Sequence, residues 1–292
     1  MKETLRLEKE HEVLSLVTGI SYCHVPAWYG ATMRDLKMDL IVPKHQEGHP
    51  ACPVIIWICG GAYMVVDKSV WMPEMVYFAR HGFVIASIEY RTSNEAQFPV
   101  QLTDVKAAIR FLKKHAEEFC IDPGQITVMG ESAGGALACL AGVTHKHKEF
   151  DIGDYPELDC SVKNVVDFYG PAAVQEPDNA GSADDALPAA GDPVPDWTLD
   201  AYLGSGFTEE KYRSCCAETY LDELNGDELP SFMILQGKDD PIVAESVSDR
   251  FYNLLVKRGA DVEYLLIEGA VHGDDLLYQD VIKERIVKFL NK

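Results

Sequence analysis

Short apolar runs alternate along the chain with longer stretches in which apolar residues recur every three or four positions. The short runs predict strands, several of them apolar on both faces as in a buried sheet; they occupy residues 16–22, 36–42, 54–59, 83–90, 126–130, 162–169, 232–235 and 262–267. The longer stretches predict helices; they occupy residues 71–81, 100–117, 133–142 and 276–290. Strands that alternate with helices predict an α/β fold. We expect a mostly parallel central sheet with helices on both faces and a ligand site at the carboxyl ends of the strands.

One segment interrupts this alternation. The length of 292 residues fits a single sheet-centred domain over residues 1–292. Within it, residues 175–230 are rich in Pro and Gly and carry fourteen acidic side chains against two basic ones. Loops of this length in compact domains are usually functional or disordered, so we interpret the segment as a cap or substrate-binding insertion rather than a plain acidic surface loop. Its Asp184-Asp185 pair lacks the pattern of a cation-binding loop, and no metal is expected.

Charge and composition narrow the classes of partner and compartment. The formal net charge of −21 disfavours nucleic acid and anionic membranes as partners, because both repel a strongly acidic protein. No apolar run reaches membrane-spanning length and the charged N-terminus lacks a signal-peptide pattern, so we expect a soluble cytoplasmic protein. Its eight cysteines show no metal-binding spacing and are expected to be small buried hydrophobes in a reducing compartment.

A candidate nucleophile lies between a predicted strand and a predicted helix, in Gly130-Glu131-Ser132-Ala133-Gly134. Glycines two positions before and after a serine suit a sharp, strained turn that exposes the hydroxyl. The helix that follows directs its N-terminal N–H groups and positive dipole end at the same place, where an oxyanion would be stabilised. Taken alone, the pentapeptide also fits a glycine-rich turn with a bystander serine. For Glu131 we expect hydrogen bonds to local backbone.

A serine nucleophile needs a base, and the base needs an acid to orient it. His272 lies in a glycine-flanked loop after the predicted strand 262–267, whereas the other eight histidines lie in polar or early segments. The acid candidates are Asp239 and Asp240, directly after the strand 232–235. The proline at position 241 favours Asp240, because it holds the residue before it in an extended or turn conformation, whereas Asp239 also suits a turn or a helix cap.

The order Ser132, Asp240, His272, each after a predicted strand, resembles that of the α/β-hydrolase superfamily. The run Cys59-Gly60-Gly61-Ala62-Tyr63 resembles the His-Gly-Gly-Gly-Trp type motif of hormone-sensitive-lipase-like esterases. The resemblance extends over nearly the whole chain and is nearest to bacterial acetyl esterases and feruloyl esterases; it is also carried by residues 36–40, 87–91 and 98–99. Cys59 departs from the family pattern, in which a histidine braces the loop, and it is not expected to act as a nucleophile.

The resemblance implies a serine carboxylester hydrolase that acts through an acyl-enzyme on short-chain or carbohydrate-linked esters of acetyl or feruloyl type, without a cofactor. It implies an oxyanion hole formed by backbone N–H groups of Gly61, Ala62 and Ala133. Tyr63 and Trp71 follow this loop and are candidates to line the acyl pocket, although aromatic residues there fit packing equally well. Two alternatives stay open: an amide or formamide hydrolase or peptidase of the same fold, and a non-catalytic ligand-binding homologue. The acyl and alcohol specificity and the formation of a homo-oligomer also stay open.

Overall fold

A sheet of eight strands runs through the part of the chain that the structure describes. The computed structural model describes residues 1–8, 12–44, 48, 50–174 and 196–292, and these form eight strands in the spatial order β1-β2-β4-β3-β5-β6-β7-β8. The strands are β1 (Leu14–Ala27), β2 (Thr32–Pro43), β3 (Cys52–Ile58), β4 (Val84–Ile88), β5 (Ile121–Glu131), β6 (Asn164–Phe168), β7 (Ser231–Gly237) and β8 (Val262–Ile267). β2 pairs antiparallel with β1 and β4, and all other pairs are parallel.

Helices cover both faces of this sheet, as the alternating pattern predicts. The α-helices of the described residues are α1 (Met72–Arg80), α2 (Val100–Lys114), α3 (Ala133–Val143), α4 (Asp196–Leu203), α5 (Glu209–Ser214), α6 (Glu245–Arg258) and α7 (Asp280–Leu290). One apolar core holds buried residues of α1 and α7, and the other holds those of α2, α3 and α6. The central strands are therefore covered on both sides, which explains why they read as apolar runs without alternation.

Two predicted boundaries are wrong for local reasons. β5 begins at Ile121 rather than at the predicted residue 126. Near its start, an Asp122 carboxylate oxygen accepts a hydrogen bond from Gly124 N–H at 2.9 Å and the pairing with β3 is irregular. The helix expected at 276–290 is split into a 3₁₀ turn, Asp275–Tyr278, and α7, with Gln279 in an extended conformation between them. The break lets Tyr278 turn inward, where its ring stacks on those of Trp71 and Phe168.

The predicted insertion is described only in part. Residues 175–195, with the Asp184-Asp185 pair, lie outside the described residues. The remainder forms α4, α5 and two 3₁₀ turns, and it packs on the main core through buried residues such as Tyr202. The backbone N–H of Phe98 donates to the carbonyl of Tyr202 at 2.8 Å. The described part is thus folded onto the domain, and its role as a cap over Ser132 stays a prediction.

Seven of the eight cysteines are buried, the environment that their spacing and composition favoured. Among the described residues, no group of three or more His, Cys, Asp or Glu side chains is arranged to hold a metal ion. Over the same part of the chain, no helix combines the length and apolar character needed to cross a membrane.

Candidate active site

Ser132 occupies a strained turn between β5 and α3. Its backbone has φ 52° and ψ −123°, a region that residues with a side chain rarely adopt. The turn is fixed by a hydrogen bond from Ser132 N–H to the carbonyl of Phe168 at 2.8 Å. A Cβ atom on Gly134 would lie 2.0 Å from the backbone oxygen of Ile58, so only glycine permits this close approach of α3 to β3. The local sequence therefore folds into the sharp turn that it predicts.

The structure brings Ser132, His272 and Asp240 together although they are far apart in sequence. His272 Nε2 lies 2.9 Å from Ser132 Oγ, and His272 Nδ1 lies 2.8 Å from Asp240 Oδ2. Each residue follows the carboxyl end of a parallel strand, so the three meet at one edge of the sheet. The His272 side chain is 14% exposed and that of Asp240 is fully buried. A continuous hydrogen-bonded chain thus runs from a buried carboxylate to a serine hydroxyl.

The position of Asp240 is fixed by its surroundings. Its Oδ1 accepts hydrogen bonds from the backbone N–H groups of Ile242 and Val243 at 2.8 and 3.0 Å. Its Oδ2 faces His272 Nδ1 at 2.8 Å and also accepts from the Gln236 side-chain amide at 3.3 Å. The neighbouring Asp239 is exposed. Of the two aspartates that compete in the sequence, the structure places Asp240 against the imidazole.

The loop after β3 presents backbone donors. Gly61, Ala62 and Tyr63 all have positive φ, at 119°, 50° and 62°. A Cβ on Gly61 would lie 2.3 Å from the backbone oxygen of Val65, so this turn requires glycine. Among the hydrogen bonds of the described residues, none uses the N–H groups of Gly61, Ala62 or Ala133. These three groups are therefore available to a ligand, as an oxyanion hole requires.

Glu131 braces this loop. Its carboxylate accepts a hydrogen bond from the backbone N–H of Gly60, a residue of the loop after β3. Local backbone was the expected partner, and that expectation is wrong, because the pairing of Ile58 with Gly130 sets the end of β3 beside the end of β5. Burial raises the pKa of Glu131, while the hydrogen bond from Gly60 lowers it. Glu131 thus links the turn that carries the serine to the turn that carries the donors.

Cys59, which stands where the family has a histidine, is not a reactive thiol. Burial raises the pKa of its thiol to about 12, which keeps the sulfur protonated at neutral pH. Its Sγ donates to the carbonyl of Asp67 at 3.1 Å, and its own carbonyl accepts from the hydroxyl of Tyr90 at 2.8 Å. The loop is therefore held by Cys59, Tyr90 and Glu131 together.

Sequence reasoning missed Tyr169. It follows β6 with φ 44°, and its ring packs edge-on against the imidazole of His272 with 4.7 Å between ring centroids. Its hydroxyl lies 2.6 Å from that of Tyr278 and 3.4 Å from a Glu131 oxygen. Its position in the sequence could have identified it, because it lies at the carboxyl end of a predicted strand, next to Gly170.

The two residues proposed to bind substrate have packing partners. Tyr63 is buried, and its ring stacks on Tyr202 with 3.8 Å between centroids. The ring of Trp71 stacks on Tyr278 with 4.2 Å between centroids. The Trp71 side chain also forms a hydrogen bond with the carboxylate of Glu131. Their contact with a substrate stays a prediction.

The sequence of the chain matches a known protein family. The family model BD-FAE matches residues 38–255, which hold Ser132 and Asp240 and end before His272. The chain belongs to the BD-FAE family. Curated relatives of this BD-FAE member include a probable isoprenylcysteine alpha-carbonyl methylesterase of Arabidopsis thaliana, 26% identical over 87% of the chain and 52% of the relative. Esterase LipQ of Mycobacterium tuberculosis is 27% identical over 85% of the chain and 56% of its own length. The chain thus spans about half the length of these relatives.

Solved structures share the fold over almost the whole chain. A truncated carbohydrate esterase from gut microbiota superposes with a TM-score of 0.75 and 25% identity, over 98% of this chain and 97% of that one. An esterase of Thermogutta terrifontis superposes with a TM-score of 0.69 and 22% identity, over 92% and 91% of the two chains. The α/β-hydrolase fold implied by the sequence is confirmed for this member of the BD-FAE family.

Proposed function

We propose that the protein is a carboxylic ester hydrolase that uses Ser132 as nucleophile, His272 as general base and Asp240 as the residue that orients it. The observation that carries the proposal is the hydrogen-bonded chain Ser132–His272–Asp240. A serine hydroxyl becomes a useful nucleophile only when a base accepts its proton during attack. The 2.9 Å contact between Ser132 Oγ and His272 Nε2 has the geometry for that transfer.

The reaction would proceed in two halves. In the first, Ser132 Oγ attacks the ester carbonyl while His272 Nε2 accepts the serine proton and then delivers it to the leaving alcohol. In the second, water attacks the acyl-enzyme, and His272 repeats the same proton transfers. Asp240 stays ionised, accepts a hydrogen bond from Nδ1–H and stabilises the imidazolium that forms. The two backbone N–H bonds to its other oxygen keep the carboxylate in place throughout.

The negative charge on the tetrahedral intermediate would be stabilised by the N–H groups of Gly61, Ala62 and Ala133. These donors are fixed before the substrate arrives, because Glu131 holds Gly60 and the glycine turn holds Gly61. Fixed donors need no reorganisation as the charge develops, so they stabilise the transition state more than the ground state. The chain itself supplies the nucleophile, the base and the donors, so no step of the proposed reaction uses a cofactor.

For the substrate we propose short acyl groups, of acetyl type, on small or carbohydrate-linked alcohols. Two findings support this class: the structure that covers nearly the whole chain at 25% identity is named a carbohydrate esterase, and the matching family is BD-FAE. Feruloyl esters are the second acyl class to test.

The experiment compares wild type and Ser132→Ala on matched esters and amides: 4-nitrophenyl acetate, 4-nitrophenyl butyrate, methyl ferulate and 4-nitroacetanilide. We expect turnover of acetate esters by wild type, a loss of about 10⁶-fold in kcat in the variant, and slower turnover of the amide. Faster turnover of the amide than of the matched ester would assign the protein to C–N hydrolysis instead. Absence of turnover of every substrate by folded wild type would contradict an ester hydrolase.

A further inference from the structure

A cavity lies beside the loop that presents the backbone donors, and none of the roles above uses it. It has a volume of about 320 Å³. Its walls come from the tip of the β1–β2 hairpin, from the residues that follow β4 and from the loop after β3; they include Trp28, Arg34, Val66, Glu89, Thr92 and Asn94. We call it the Trp28 cavity.

The Trp28 cavity opens at the same edge of the sheet as Ser132. β2 runs antiparallel to β4 and pairs Met38 with Ile88, so the start of β2 and the hairpin tip lie beyond the carboxyl end of β4. In the sheet, β4 is two strands away from β5. At the usual strand spacing, the end of β4 is about 10 Å from the end of β5. The cavity and Ser132 therefore lie at the same edge of the sheet, on the two sides of the loop after β3.

The hairpin tip holds Trp28 in an unusual conformation. Trp28 and Tyr29 have φ of 50° and 53°, a left-handed region that bulky residues rarely adopt. Tyr29 fixes this conformation, because its backbone N–H donates to the carbonyl of Glu95 at 2.6 Å and its hydroxyl donates to the carbonyl of Ser93 at 2.8 Å. Trp28 nevertheless remains 61% exposed. A strained turn that presents an exposed indole at a cavity indicates a binding role better than a packing role.

The polar groups around the indole favour a neutral ligand. The Arg34 guanidinium lies 3.1 Å from Glu95 and 3.7 Å from Glu89, so these charges already neutralise one another in part. An anionic ligand would meet two carboxylates for one guanidinium, and a purely aliphatic ligand would remove water from these polar walls without adding a hydrogen bond to them. Thr92 and Asn94 add a hydroxyl and an amide to the lining. An apolar ring face beside several hydrogen-bonding groups matches a sugar, which has C–H bonds on its faces and hydroxyl groups around its edge.

The cavity is also joined to the oxyanion loop by hydrogen bonds. Ser93 N–H donates to the carbonyl of Tyr63 at 2.8 Å, and the Asn94 side-chain amide donates to the carbonyl of Met64 at 3.0 Å. The segment after β4 therefore supports the loop on one side and lines the cavity on the other.

We propose that the Trp28 cavity binds a neutral sugar ring in the alcohol part of the ester, with the ring stacked on the indole of Trp28. This inference rests on the proposed ester hydrolase function and adds to it the place where the alcohol is recognised.

The test compares wild type, Trp28→Ala and Trp28→Phe on 4-nitrophenyl acetate and on acetylated oligosaccharides of xylose, glucose and mannose. We expect Trp28→Ala to lower kcat/KM about 10-fold on at least one sugar acetate, mainly through a higher KM. Turnover of 4-nitrophenyl acetate should stay within about twofold of wild type, because this substrate lacks a sugar. Trp28→Phe keeps an aromatic face and should retain most of the activity. Leu16→Ala, an exposed apolar residue on β1 outside the cavity, is the matched control.

Two outcomes would overturn the sugar subsite while leaving ester hydrolysis intact. One is that Trp28→Ala changes kcat/KM on the sugar acetates and on 4-nitrophenyl acetate by the same factor. The other is that wild type hydrolyses 4-nitrophenyl acetate but no sugar acetate. Failure of wild type on every substrate would instead overturn the proposed function itself.

Discussion

Replacing Glu131 by alanine removes the acceptor that holds the backbone N–H of Gly60. The variant Glu131→Gln keeps a side-chain oxygen of the same reach for Gly60, removes the charge, and replaces the carboxylate oxygen near Tyr169 and Trp71 by an amide NH2. The two substitutions therefore separate the brace on the oxyanion loop from the negative charge near the site. In wild type the carboxylate is buried beneath the loop, where water cannot readily replace it as an acceptor.

The size of the effect follows from the neighbour of Gly60. Gly61 presents one of the proposed oxyanion donors, and removing one such donor lowers kcat by about 10²–10³-fold in a serine hydrolase. In Glu131→Ala, the Gly60 N–H is left buried without a partner, at a cost of about 1–3 kcal/mol that the loop can relieve by moving. We therefore expect kcat to fall about 100-fold in Glu131→Ala and less than about 10-fold in Glu131→Gln, which retains the hydrogen bond.

The assay is steady-state hydrolysis of 4-nitrophenyl acetate, with thermal unfolding and circular dichroism to verify that both variants fold. Because the lost interaction acts on the transition state, kcat and kcat/KM should fall together and KM should change little. The reasoning is refuted if Glu131→Ala retains activity within about threefold of wild type, or if Glu131→Gln is as impaired as Glu131→Ala.

Three further predictions concern the acid, a second buried carboxyl and the serine turn. Asp240→Asn should lower kcat about 10⁴-fold and Asp239→Asn less than twofold, measured on the same ester; the reverse ranking would assign the acid to Asp239. Burial raises the pKa of Asp167 from 3.8 to about 7. Between about pH 4 and pH 7, the Asp167 carboxyl is therefore protonated in the folded protein and ionised in the unfolded chain. Its contribution to the free energy of unfolding is complete below pH 4 and declines as the pH rises to about 7. The shift in pKa corresponds to roughly 4 kcal/mol of unfolding free energy. In urea unfolding, Asp167→Asn should lack this decline with pH. Identical dependence of the unfolding free energy on pH in variant and wild type would disprove the raised pKa of Asp167. Gly134→Ala, whose Cβ would lie 2.0 Å from the Ile58 oxygen, should reduce the unfolding free energy by about 2–3 kcal/mol; unchanged urea unfolding would contradict the close approach.

The parts of the structure that the sequence predicted are those set by local pattern. Each apolar run corresponds to a strand. For the central strands the reason is that a run apolar on both faces is stable only inside a covered sheet, whereas the edge strands β1 and β8 are only partly buried. The turn at Ser132 was also predictable from local pattern, because two glycines within five residues provide the space that a sharp turn requires. His272 was identifiable because it follows a strand in a glycine-flanked loop.

The parts that escaped prediction depend on contacts between distant segments. The partner of Glu131 is Gly60, and nothing near Glu131 in the sequence identifies it; the contact exists because β3 and β5 are neighbours in register. Tyr278 turns inward because its ring stacks on Trp71 and Phe168, which overrides the helical pattern of its own segment. Tyr169 escaped notice because an aromatic residue at the end of a strand is as typical of packing as of an active site.

The residue that carries the acyl group during turnover is the most direct test of Ser132 as the nucleophile. Wild-type protein is mixed with 4-nitrophenyl acetate, quenched with acid within the first turnovers, digested and analysed by tandem mass spectrometry. We expect one acetyl group on Ser132, an initial burst of nitrophenol, and neither signal in Ser132→Ala. Acetylation of a different residue, with turnover retained in Ser132→Ala, would contradict this role of Ser132.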